Sequence, residues 1–436
     1  MKNYRPVAIL SPLSKVLERA VYDQIYNYFD RNKLLHPSLH GYRKNMSTST
    51  ALLSMYNKWA KSASEGKITG VVLVDLSAAF DLVSPELLTK KLSIYGVDDG
   101  FVQWITSYLT DRHQTVWIDH LFSYFKENSI GVPQGCTLGP LFFLIFFNDL
   151  PTVIDSDIEC YADDSTLSKS GDFVHEISDS LTNDCNSLDN WVKENRFKLN
   201  TEKTHFSTLG TSNKLKTLKD DLKVSIDGVN LSQSNRSSEM LLGIKIQKNL
   251  KWTEHIEFLV SKLNKRLVAL EKLRCIMDVR TRKTIVEGVF NSVLCYCLPL
   301  YGGSSQQDLK PLQLLQNRAA RLVLSAPPRT SRLLMFEKLA WLTVSQLIAY
   351  HTLIAVFRIR KSNEPEGLAQ LLTLDSRQGR ILIQNSRHDL YRNSFIYRGS
   401  QLWNRLPSQI RELGKISSFK KCTRAWVLTN IDKFMD

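Results

Sequence analysis

Residues 70–81 read GVVLVDLSAAFD. Behind Gly70 an apolar, mostly β-branched run extends to Val74, the pattern of a strand buried on both faces, and Asp75 ends it. A carboxylate at that place is costly to bury unless it meets a cation. A second acidic site appears at YADD, residues 161–164, where DIECYADDSTLS (157–168) reads as two short strands with Asp163 and Asp164 at the turn. Carboxylates at two strand ends invite a shared metal ion. The same spacing also allows a plainer reading, in which Asp75 caps the next turn and Asp163-Asp164 is a solvent-exposed bend.

Outward from these sites, residues 12–30 place Leu13, Val16, Leu17, Ala20, Tyr28 and Phe29 at helical spacing, and Ser47 or Thr48 can cap a helix reaching Ala63. Ser84-Pro85-Glu86 opens a helix with a capping hydroxyl and proline at its first position, ending near Gly96. QTVWID and LFSYFK around Asp119-His120 form a hairpin pattern, and GVPQGCTLGP, from Gly131, is a loop leading into the apolar helix LFFLIFFNDL. Strands and helices mix up to Ile246, as in an α+β domain. Helices are expected at 253–275, 279–298, 307–324 and 343–360. Boundaries therefore fall near 250 and near the polar stretch Lys361–Glu366, dividing the chain into 1–250, 251–361 and 362–436.

The 436 residues are 43% hydrophobic and 23% charged, which excludes disorder over most of the length. Lys and Arg exceed Asp and Glu by 57 to 43, a net charge of +14 that favours a polyanionic partner, nucleic acid before anionic membrane. Seven single cysteines do not make a disulfide framework, and Cys295 and Cys297 lack the second pair or histidine of a zinc module. MKNYRPVAIL has no apolar leader core, and the run from Leu141 is about half the roughly 20 residues that a membrane span needs. An intracellular protein, cytoplasmic or nuclear, is the expectation. Residues 245–283 hold eleven Lys or Arg against four acids, and 377–424 hold eleven against two. Interleaved Tyr391, Phe395, Tyr397, Trp403 and Phe419 suit either base stacking or a small core.

DLSAAFD, GVPQG and YADD, in this order, resemble the A, B and C motifs of reverse transcriptases. NYRPVAILSPLSKVLER before them, and FKLNTEKTHF and LLGIKIQKNLKW after them, extend the similarity over residues 3–252, with wording close to LINE-type, non-LTR retrotransposon polymerases of the jockey-like kind. The resemblance implies a right-hand polymerase with partial fingers, an RRM-like palm and a mostly helical thumb and C-terminal region, and an RNA-directed DNA polymerase activity. Its partners would be an RNA template, a DNA primer and dNTPs, and its cofactors two Mg²⁺ ions, with Mn²⁺ as substitute. Asp75, Asp163 and Asp164 would ligate the metals, with the Leu76 carbonyl completing one site, and Lys203 would act as general acid. Phe80 would exclude the 2′-hydroxyl of the incoming nucleotide, which argues against an RNA-making polymerase. Gln134 and Gly135 would meet the nucleotide or template base, Arg5 the triphosphate, and Gly243 the primer-gripping strand. Because the similarity begins inside the fingers motif and no endonuclease domain precedes it, a catalytically inactive, nucleic-acid-binding remnant is the alternative. A basic-faced thumb would track the template–primer duplex, and Arg377, Arg380, Arg387, Arg392 and Arg398 would contact phosphates.

Overall fold

The computed structural model describes residues 7–431 except 219, 376–378, 384, 385 and 387. The fold is α+β. The chain forms two compact units: one gathers Met1–Ser47, Gly70–Thr208 and Lys219–Ser234, and the other Thr48–Thr69, Leu209–Leu218 and Asn235–Asp436.

The first unit is built on a five-stranded sheet: β1 (Ile68–Val74), β2 (Asp157–Tyr161), β3 (Asp164–Gly171), β4 (His205–Leu209) and β5 (Ser232–Gln233), in the spatial order β5-β4-β1-β3-β2. The run read as a buried strand is β1, central and covered almost throughout. Gly70 is required there. A Cβ would stand 2.7 Å from Leu181 and 2.8 Å from Ile177, both on the helix Val174–Glu194. The apolar helix Gly139–Phe146 is buried apart from Pro140, which is half-buried. The helix Pro85–Ile94 starts as its sequence demands, with Ser84 Oγ accepting from Leu87 N–H. The hairpin at Asp119-His120 also forms, Trp117 pairing with Phe122 and both turn residues taking positive φ.

The helix Pro12–Arg31 forms, but its buried face differs from the expected one. Leu13, Val16 and Leu17 are exposed, while Glu18, Val21, Ile25 and Phe29 make the inner stripe. The reason is a polar anchor that periodicity of apolar residues does not reveal. Glu18, 1% exposed, accepts from Ser14 Oγ and from the Thr137 backbone N–H, so the helix is phased around a satisfied carboxylate.

In the second unit, helices Thr253–Lys272 and Gln306–Leu324 pack together, joined by Arg318 gripping Glu271 through Nε at 2.8 Å and Nη2 at 2.7 Å. The helix expected over 279–298 is broken: an α segment Val279–Val286 passes into a π turn Glu287–Asn291, then Ser292–Leu294, and Cys297 takes φ +51° before Leu298–Tyr301. Pro299 has no N–H to continue the ladder, so the chain restarts at it.

The stretch Lys361–Glu366 is a link within one core. Phe357, on Val344–Ser362, stacks at 4.2 Å on Phe419, on Ile416–Asn430, and Trp403, on Phe395–Arg405, lies 5.8 Å from the same ring. Tyr391, Phe395, Trp403 and Phe419 are all buried, so of the two readings of these aromatics the core is correct for them. Arg398 is likewise engaged within the fold. Its Nη2 donates to the Pro299 carbonyl at 2.6 Å and its Nε to that of Asn393, and burial lowers its pKa to about 10. Arg411 and Arg424 also spend donors on backbone carbonyls, of Gly379 and Ala340. Arg380 and Arg392 are exposed, and Arg377 and Arg387 lie outside the described residues.

Candidate active site

Asp75 follows the last residue of β1, and its position is fixed by a second segment of chain. Asp75 N–H donates to Thr204 Oγ1 at 3.2 Å, its carbonyl accepts from Asn200 N–H at 2.9 Å, Leu76 bridges Leu199, and Ser77 N–H donates to the Lys198 carbonyl. The stretch FKLNTEKT is therefore zipped along residues 75–77. A turn at Asn200, whose carbonyl accepts from the Lys203 and Thr204 N–H groups, then brings Lys203 Nζ to 3.6 Å from Asp75 Oδ2. The pair is open to solvent, so it orients more than it stabilises.

β2 and β3 form the hairpin that carries YADD. Tyr161 pairs directly with Asp164, so the two-residue turn is Ala162-Asp163, with Ala162 at φ +57°, and not Asp163-Asp164 as its sequence suggested. Asp164 is thus the first residue of a strand beside β1. Burial pushes its carboxyl up from the ordinary carboxylate range, and the negative charges of Asp163 and then Asp75 push it further. Asp164 therefore lies within electrostatic reach of both other predicted carboxylates. Among the described residues no three His, Cys, Asp or Glu side chains form a ready ligand set. The donors are nevertheless hard oxygens in mutual repulsion, answered by one ammonium, which is a set suited to a hard divalent cation.

Sequence reading missed what holds this hairpin in place. Residues 38–42 run along the outer side of β2: Cys160 N–H donates to the Ser38 carbonyl at 2.9 Å and His40 N–H to that of Cys160 at 2.8 Å. His40 Nε2 and Glu159 Oε2 meet at 2.7 Å in the interior. Tyr42, at φ +60°, then stands beside the turn, and its phenol is pushed up by burial, then by Asp163 and Tyr161. Gly41 allows the approach, since a Cβ there would lie 2.5 Å from Ala162 N. The HGY triplet at 40–42 carried no periodic signal. Gly41→Ala is expected to push the hairpin away from residues 38–42, costing about 1–3 kcal/mol of overpacking. Thermal unfolding should show a lowered midpoint, and extension assays at least a tenfold loss; an unchanged midpoint would refute the contact.

Phe80 sits in a 3-10 turn, Ala79–Leu82, stacked at 4.2 Å on Phe143 with Tyr42 edge-on at 5.9 Å. It is half-buried. The loop bearing Gln134 and Gly135 is laid against this turn: Val132 N–H donates to the Phe80 carbonyl and Gly131 N–H to that of Val83. Gly135 is at φ +105°, and Gln134 Nε2 donates to Asp81 Oδ1 at 2.7 Å. Asp75, Leu76, Phe80, Gln134, Gly135, Asp163, Asp164 and Lys203 all belong to the first unit. Gly243 lies in the second, at φ +81° in the turn between Ser238–Leu241 and Ile244–Gln247, against the Tyr296 ring. Arg5 is outside the described residues.

The sheet thus sets Asp75 at the end of a central strand whose neighbour begins with Asp164, at the hairpin that also carries Asp163. The sequence profile of the reverse transcriptase (RNA-dependent DNA polymerase) family matches residues 1–262, and the chain belongs to that family. Its relatives include the probable RNA-directed DNA polymerase from transposon BS of Drosophila melanogaster, 26% identical over 378 residues that cover 83% of this chain and 40% of that protein. The RNA-directed DNA polymerase from mobile element jockey of Drosophila funebris is 27% identical over 342 residues, 74% of this chain and 36% of the relative. The alignments with these curated relatives thus span about two fifths of their length. Among solved structures, apo telomerase from Candida tropicalis aligns with 82% of this chain and 58% of its own, at 12% identity and a TM-score of 0.40. Among the described residues no single helix is long and apolar enough to cross a membrane.

Proposed function

We propose that the chain extends a DNA primer on an RNA template, adding dNTPs by nucleotidyl transfer. The observation that supports this reading is the placing of Asp75 after β1 and of Asp164 at the start of the neighbouring strand β3, where Asp164 feels the charges of Asp163 and Asp75. Asp75, Asp163 and Asp164 would hold Mg²⁺, or Mn²⁺, with the Leu76 carbonyl as a further oxygen. Two such ions, when bound, lower the pKa of the primer 3′-hydroxyl and offset charge on the transferred phosphate. Lys203, already beside Asp75, would deliver a proton to the departing pyrophosphate. Phe80, braced by Phe143 and Tyr42, would present a fixed edge to the sugar, and such bracing is what a steric gate needs. Exposed Lys262, Lys265, Lys272, Arg274 and Arg280 suit the second unit to phosphate contacts along a duplex, in the manner of a thumb.

The gate is tested by removing ring volume. In primer extension, Phe80→Val should raise relative use of ribonucleotides at least tenfold, or about 1.4 kcal/mol of lost discrimination. An active Phe80→Val protein with an unchanged dNTP/rNTP ratio would remove Phe80 from the reading.

A further inference from the structure

Gln134 reaches the candidate site with its amide already engaged, and the partner is a residue given no role above. Its Nε2 donates to Asp81 Oδ1 at 2.7 Å. A carboxylate has no hydrogen to donate, so the amide must turn its NH₂ toward Asp81 and its Oε1 away. The backbone around the pair is tied at several points: Gln134 O accepts from Ala8 N–H at 2.7 Å, and Gly131 O accepts from Arg112 Nη2 at 2.6 Å. Gly131, at φ +77°, sits so close that a Cβ would lie 2.7 Å from the Asp81 carbonyl oxygen. Loop and turn are thus held in register by backbone contacts, while the amide's rotation is set by a side chain.

Resting on the polymerase reading, we propose that Asp81 is a positioning residue: it fixes the Gln134 amide so that Oε1 faces outward as an acceptor for a hydroxyl or amino donor of the incoming deoxynucleoside triphosphate. Asp81 is exposed, and an exposed hydrogen-bonded pair adds little to fold stability. Its effect should therefore appear in nucleotide use and not in melting.

The test is a double-mutant cycle on the full chain with a DNA primer on an RNA template, measuring kcat and KM for dNTP. Asp81→Ala should raise KM about five- to tenfold, within the range of one hydrogen bond at an exposed site, with kcat within about twofold and an unchanged melting midpoint. Asp81→Asn, whose carbonyl can accept the same bond, should recover most of the loss. Asp81→Ala/Gln134→Ala should be no worse than Gln134→Ala. Unchanged KM in Asp81→Ala, or losses that multiply in the double variant, would overturn the positioning role. If the wild-type chain extends nothing, the polymerase reading fails on its own, and the side-chain amide resonance of Gln134 decides the remaining question. It should shift in Asp81→Ala, and an unmoved resonance would sink the inference.

Discussion

Asp75→Asn and Asp163→Asn should each lower extension by roughly three orders of magnitude or more, since each removes a charged oxygen from a site asked to supply several kcal/mol of charge stabilisation. Binding of the primer–template should stay within about twofold, because neither carboxylate lies among the basic residues expected to meet phosphates. Asp75→Asn also frees Lys203 from its partner at 3.6 Å. For that reason Asp163→Asn, which leaves the Lys203–Asp75 pair intact, is the cleaner variant. A variant that binds normally and extends at the wild-type rate would remove the carboxylates from the chemistry. Asp164 has a further signature. Its carboxyl is pushed up in the folded chain, so its ionised form opposes folding, and that cost grows as pH rises through its titration range. Asp164→Asn should therefore raise the melting midpoint at neutral pH relative to wild type, with the difference shrinking in acid.

The second large effect is structural. Deleting residues 377–436 should unfold the second unit, and a selective loss of RNA affinity with the rest intact is not expected. The deletion removes Phe395, Trp403, Phe419 and Val427, all buried, and strips Phe357 of its stacked neighbour. Losing one large core side chain costs about 3–5 kcal/mol, and a whole domain is stable by only about 5–15 kcal/mol. Calorimetry should show the second unit's cooperative transition missing. A truncated chain with an unshifted transition would show these helices to be dispensable. Phe419→Ala is the milder version, expected to destabilise by about 3–5 kcal/mol.

The sequence was most legible where local rules and burial agree. The run before Asp75 is apolar because β1 is central in its sheet, and Ser84-Pro85-Glu86 opens a helix because hydroxyl and ring suit its first turn. The acidic turn was legible as a turn, but its register was not. Placing Ala162 at φ +57° is unusual for alanine, so residue types alone did not point to the Tyr161–Asp164 pairing that imposes it. The Arg-rich tail misled for a similar reason. Charge counting cannot distinguish an arginine in water from Arg398, whose Nε and Nη2 are engaged by the Asn393 and Pro299 carbonyls. Tyr42 and Gly41 left no trace because their role depends on lying against β2, more than 100 residues away in the chain.

Extension of a DNA primer annealed to RNA by the purified chain, in dNTPs and Mg²⁺, is the most direct measurement of the central claim. Growth of the primer in the wild-type protein, absent in Asp163→Asn and abolished by chelation, is the expected result. A folded wild-type chain that binds the primer–template and adds no nucleotide in Mg²⁺ or Mn²⁺ would contradict it.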